Sequence, residues 1–61
     1  MCESRVFMEK EGSRHLLMED VVYVEVTGED ITLRGILGDI QNAKGRIKEI
    51  DLMKHTVLIE E

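Results

Sequence analysis

Few side chains in this 61-residue chain could do chemistry: one cysteine, Cys2, two histidines, His15 and His55, and four methionines. Cys2 stands in the opening "MCES". A packed structural cysteine belongs in an apolar run, and an internal disulfide needs a second cysteine; Cys2 has neither setting. Its position suits a chelate instead. The backbone nitrogen and the thiolate sulfur of one cysteine can close a five-membered ring on a metal ion, and a chain end can wrap an ion freely. If Met1 is removed, that nitrogen is an amine; if Met1 stays, it is an amide that a strongly binding metal can deprotonate. One chain then supplies one N and one S. A four-coordinate ion takes four donors, so two chains about a two-fold axis would complete the set. A planar field of this kind favours nickel(II) or copper(II) over zinc, whose structural sites are tetrahedral. The competing reading of Cys2 is an inert thiol in a chain terminus.

The other candidates point less clearly to chemistry. Imidazole is a common metal ligand, but His15 beside Leu16 and His55 in an expected turn read as surface side chains. Met8, Met18 and Met53 read as core filler, since thioethers suit irregular gaps. No serine or cysteine nucleophile has a recognisable base, and no glycine loop for phosphates is visible. An enzyme is not expected. The acidic residues are dispersed along strands and turns, where solvated charge is the norm.

The elements that must position Cys2 are strands. In Ser4 to Glu9, Val6 and Met8 share one face while Arg5 and Phe7 share the other. "KEGS" (Lys10 to Ser13) fits a hairpin turn, followed by Arg14 to Met18. In "DVVYVEVTGEDITLRG", Val22, Val24 and Val26 alternate with Val21, Tyr23 and Glu25, a period of two in β-branched residues. "TGED" turns the chain, and Ile31 and Leu33 alternate with Thr32 and Arg34. Ile47, Ile50 and Met53 fit a helical spacing, whereas Ile50 and Leu52 fit a strand; a bulge near Lys48–Glu49 reconciles the two. The expectation is two strands, Arg46 to Leu52 and Thr56 to Glu60, joined through Met53, Lys54 and His55. Five or six short antiparallel strands should curl into a small, partly open β-barrel of SH3 or Sm size. The fold class is all-β, with residues 1–61 forming one domain.

Size and charge bound the partners. A chain this short buries only ~60% of its unfolded surface, so it calls for a metal or a second subunit as a staple. Both remain open; too few large apolar side chains exist to fill more than one compact core, so a homodimer of paired barrels is expected. The formal charge is −5, from 13 acidic and 8 basic residues, with one Tyr, one Phe and no Trp. Phosphate binding relies on Lys and Arg and single strands on aromatic platforms, so nucleic acid is disfavoured. Arg34, Lys44, Arg46 and Lys48 could still form a small basic strip. Charges at Arg5, Glu9, Lys10 and Glu11 interrupt any secretory signal, and no apolar run nears the ~20 residues of a membrane span. A soluble, cytoplasmic protein with a free thiol is expected.

"MCES", "LLMEDVVYVEVTGEDI" and "GRIKEIDLMKHTVLIE" together resemble the CooT family of small nickel-binding proteins, in order and over almost the whole chain. The resemblance implies a homodimer of small β-rich subunits with a role in maturing nickel-containing carbon monoxide dehydrogenase. It implies Cys2 as the nickel(II) ligand and carries over no other residue. Three functions are therefore weighed: a nickel-binding accessory protein that carries, buffers or senses the ion, a small barrel that binds nucleic acid, and a protein-interaction module whose cysteine is incidental.

Overall fold

The computed structural model describes residues 3–61, all of whose regular elements are strands: β1 (Ser4–Lys10), β2 (Ser13–Thr27), β3 (Asp30–Gly35), β4 (Ile40–Lys44), β5 (Arg46–Asp51) and β6 (Thr56–Glu60). They form one sheet in the order β4-β3-β2-β1-β6-β5. The all-β expectation holds, with two corrections. The sheet is mixed: β1 and β6 run parallel, Val6 opposite Val57 and Met8 opposite Ile59. Nor is it closed into a barrel, because β4 and β5 are both edges. The two edges are nevertheless consecutive in sequence, joined by Gly45 alone.

Gly45 is the corner. Its φ is +147°, a region L side chains rarely adopt, and a Cβ there would overlap the Glu60 carbonyl oxygen. Its N–H donates to the Glu29 carbonyl at 2.9 Å. The chain can therefore pass from one edge of the sheet to the other in a single residue.

The sheet folds over one core. Val6, Ile31, Leu33 and Ile59 are fully buried, and Met8, Met18, Val21 and Val57 complete the cluster. Ile31 and Leu33 lie on β3, three places from β6 in the sheet, so only folding brings them to Ile59. The fold is made in β2. Its residues up to Val21 pair with β1, and those from Val21 onward pair with β3. Between the two halves Asp20 takes φ 57°, and the register slips on both sides of the strand. Such bulges bend a strand and increase its twist. Asp is among the residues that tolerate this left-handed conformation.

The alternation predicted for β2 consequently breaks. Val21 is buried and Val24 packs against the core, while Val22 and Tyr23 are both exposed. In β1 the expected faces are correct, with Val6 and Met8 inward. The β1–β2 turn is the two residues Glu11 (φ 52°) and Gly12 (φ 82°), left-handed at both positions as a type I′ hairpin requires. The expected bulge in β5 is present: the register slips between Ile47 and Glu49, so that Ile47 faces Ile59 and Ile50 faces Val57. Met8 and Met18 are core residues as expected, but Met53 is 91% exposed. It rides on the tight turn between β5 and β6, where no strand lies over it.

Candidate functional site

The strongest candidate from sequence, Cys2, lies outside the described residues. What the structure gives is the mounting of the chain that carries it. β1 begins at Ser4, opposite Val21 at the bend of β2. On its other side Arg5 lies opposite Thr56, and the Arg5 N–H donates to the His55 carbonyl at 3.0 Å. Glu3, the first described residue, is half-buried. The N-terminal end of β1 is therefore held from both flanks, in the middle of the sheet rather than at an edge.

The β5–β6 turn forms one wall of this end. Asp51 fixes it: one carboxylate oxygen accepts from the Met53 N–H at 3.1 Å and from the Lys54 N–H at 3.0 Å. His55 follows at φ 54°. An Asp bonded to backbone two and three residues ahead is a local alternative to regular pairing, and it makes β5 stop at Asp51 instead of Leu52. The turn was expected from sequence; the part played by Asp51 was not, although an Asp ahead of a turn is its usual signal.

Both histidines are exposed. His55 belongs to this wall, whereas His15 lies on β2 opposite Met8, well along β1 from Ser4. The structure does not bring the two together. Among the described residues no group of three or more His, Cys, Asp or Glu side chains is arranged to hold a metal ion.

The electrostatics of the expected basic strip are now visible. Lys44 pairs with Asp30 at 3.1 Å, Arg46 with Glu60 at 3.9 Å and Lys48 with Glu9 at 2.9 Å. The Arg34 guanidinium lies 4.2 Å from the centroid of the Tyr23 ring. Each of the four cations thus has a partner within the chain, and the strip is not a row of bare charge. In the Lys48–Glu9 pair the hydrogen bond from the ammonium holds the Glu9 carboxyl below the ordinary glutamate range. The same bond raises Lys48. Thr32 donates to Asn42 at 3.1 Å, and Asp30, Asn42, Ala43 and Lys44 line an open hollow. β4 itself was not expected from sequence, because "IQNAK" has one large apolar residue.

The fold defines a class: a very small, open-sheet β protein whose N-terminal strand is held from both flanks. The family described as "CO dehydrogenase accessory protein CooT" matches residues 1–60. A crystal structure assigned to CooT of Carboxydothermus hydrogenoformans has the same fold, with a TM-score of 0.89 and 30% identity, covering 98% of this chain and 97% of that one. An uncharacterised protein of Archaeoglobus fulgidus is 44% identical over 43 residues, 70% of this chain and 96% of its own length. Another, from Methanothermobacter thermautotrophicus, is 40% identical over 60 residues, 98% of this chain and 89% of its own. A third, from Methanocaldococcus jannaschii, is 35% identical over 60 residues, 98% of each chain. The chain belongs to the CooT family. Membership implies an accessory role toward CO dehydrogenase, which fits a non-enzyme.

Proposed function

We propose that this chain is a cytoplasmic nickel(II)-binding accessory protein that carries, buffers or senses the ion for CO dehydrogenase or another nickel enzyme. It acts as a homodimer in which Cys2 of each chain contributes to one shared ion. The observation that carries the reading is the family match, which runs from residue 1 and so includes Cys2. Chemistry supports it. Cys2 can present a thiolate and a neighbouring backbone nitrogen from one position. The ion is cargo, and the chain's task is to hold it and let it go.

The mounting of β1 suits that task. Cys2 is two residues from Ser4, so a donor there lies within about 7 Å of the sheet. Only the thiolate is a good ligand, and the free thiol has a pKa of about 8.5. The metal therefore displaces the proton, and binding releases it. Nickel titration of the wild type and of Cys2→Ser, followed by calorimetry and by thiolate-to-metal absorption in the near ultraviolet, tests the proposal. Tight binding is expected in the first and not in the second. Equal binding by both would remove Cys2 from the site.

The alternative of a nucleic-acid-binding module has less support. Net charge is −5, and the cations that could have formed a strip are paired with acids or stacked on Tyr23.

A further inference from the structure

Two exposed turns flank the end of β1 that leads to Cys2. One row of paired residues crosses the sheet there: Asp51 opposite Thr56, Thr56 opposite Arg5, then Ser4 opposite Val21 and Val21 opposite Gly35. The β5–β6 turn leaves one end of this row after Asp51, and the β3–β4 turn leaves the other after Gly35. Neighbouring strands lie ~4.8 Å apart, so four spacings separate the two turns by at most about 19 Å.

Both turns are braced. In the β3–β4 turn the Gly35 N–H donates to the Asp39 carbonyl at 2.8 Å, and the Gly38 N–H to the Gly35 carbonyl at 2.9 Å. The Ile36 N–H donates to the Asp20 carbonyl at 2.9 Å, which ties this turn to the bend of β2. Asp51 holds the other turn through Met53 and Lys54. On these turns, or directly after them, sit the four most exposed large apolar side chains among the described residues. Leu37 and Met53 are each 91% exposed, Leu52 80% and Ile40 62%. Single exposed apolar residues are ordinary, but their concentration at one end of a molecule marks an interaction site. Because the turns are already fixed, association costs them little further ordering.

Charge narrows the partner. None of the five ion pairs among the described residues involves the row or either turn. Glu3, Glu19, Asp20, Asp39 and Asp51 stand along the row, against Arg5, Lys54 and Arg34, the last of them stacked on Tyr23. The face is therefore apolar at its two tips and acidic between them. An anionic bilayer would meet these carboxylates with repulsion, and a second copy would set acid against acid.

We infer that this end of the molecule docks the nickel-free client enzyme, on a surface of that enzyme that is apolar at its centre and rimmed by lysine and arginine. The inference rests on the proposed accessory function and names the partner of the same site. A standard interface takes about 800 Å² from each partner, enough for one footprint to cover both turns and the start of β1. Cys2 is two residues before Ser4, at most about 7 Å from the row, so docking by the two tips brings the ion's donor up to its receiver.

The test measures binding of the full chain to immobilised nickel-free CO dehydrogenase, for the wild type, Cys2→Ser, Leu37→Asp and Met53→Asp. Wild type and Cys2→Ser should dock alike, and added salt should weaken both. Leu37→Asp and Met53→Asp should each weaken docking at least about tenfold, as interface anchors do, with strand circular dichroism, nickel binding and mass by light scattering unchanged. No docking by the wild type, salt-independent docking, or undiminished docking in either Asp variant would overturn the inference. So would a halved mass in the Asp variants, which would give the face to a second copy, or tip-dependent binding to phosphatidylglycerol vesicles, which would give it to a membrane. Nickel titration separates this from the function it rests on. Docking by a chain that holds no nickel would uphold the face and remove the ion, whereas nickel binding without docking would leave the ion and remove the face.

Discussion

The proposed function depends most on Cys2, and the fold on Gly45. Gly45 holds φ +147° against the Glu60 backbone. Gly45→Ala should therefore cost roughly 1–3 kcal/mol from the backbone strain alone, with steric displacement of β6 added to it. Urea unfolding of the variant measures this, and an unchanged midpoint would show that the corner can relax. At Cys2 the expectation is a pH-dependent affinity that falls as pH drops, because each bound thiolate must give up a proton. If two thiolates share one ion, the oxidised wild type should also form a disulfide-linked dimer, and a reductant should restore nickel binding. The Lys48–Glu9 pair adds a small pH term to stability. Glu9 is held low and Lys48 high. The contribution of Glu9 is thus fully present above its ordinary pKa and fades as pH falls through the depressed value, while that of Lys48 fades only as pH rises through its raised one. In Glu9→Gln the acid-side change should shrink; denaturation midpoints measured across pH 3–6, the window set by the ordinary glutamate value, would show it.

At the scale of elements, the bulges decide how much was legible. The face of β1 and the hairpin around Gly28 could be read from alternation and turn residues alone. In β5 the conflict between a helical and a strand spacing was itself informative, because one slipped residue at Lys48 puts Ile47 opposite Ile59 and Ile50 opposite Val57, although Ile50 stays exposed. β2 was harder. Two segments, Arg14 to Met18 and the valine run, are one strand of 15 residues that passes through Asp20 without a break. No period in the sequence shows that a strand continues through a left-handed Asp. The parallel pairing of β1 with β6 and the open edges were likewise hidden, since both depend on contacts between chain ends. β4 was missed because its cover comes from one side and its residues are mostly polar. Of the site, Cys2 was singled out from its type and place, but the Asp51 brace was not. Asp51→Ala, which removes both accepted backbone bonds, should cost about 1 kcal/mol. Hydrogen exchange should quicken at Met53 and Lys54; unchanged protection there would show that Asp51 is dispensable.

For the whole molecule, the argument turns on how so small a core is completed. One cluster of buried residues serves a sheet with two open edges, and the β2 edge leaves part of that core face in solvent. In the proposed homodimer a second copy would complete it. The dimer should then survive a chelator, since apolar contact holds it and the ion does not. Light scattering of the metal-free protein checks this, and a monomer that pairs only with nickel would reverse the order of cause. The most direct test of the account is the nickel stoichiometry of the wild type beside that of Cys2→Ser, measured by titration under reducing conditions. The account predicts one tightly bound nickel for two wild-type chains, and none held tightly by the variant while it remains folded and dimeric. One nickel per wild-type chain, or a variant that binds as the wild type does, would contradict it.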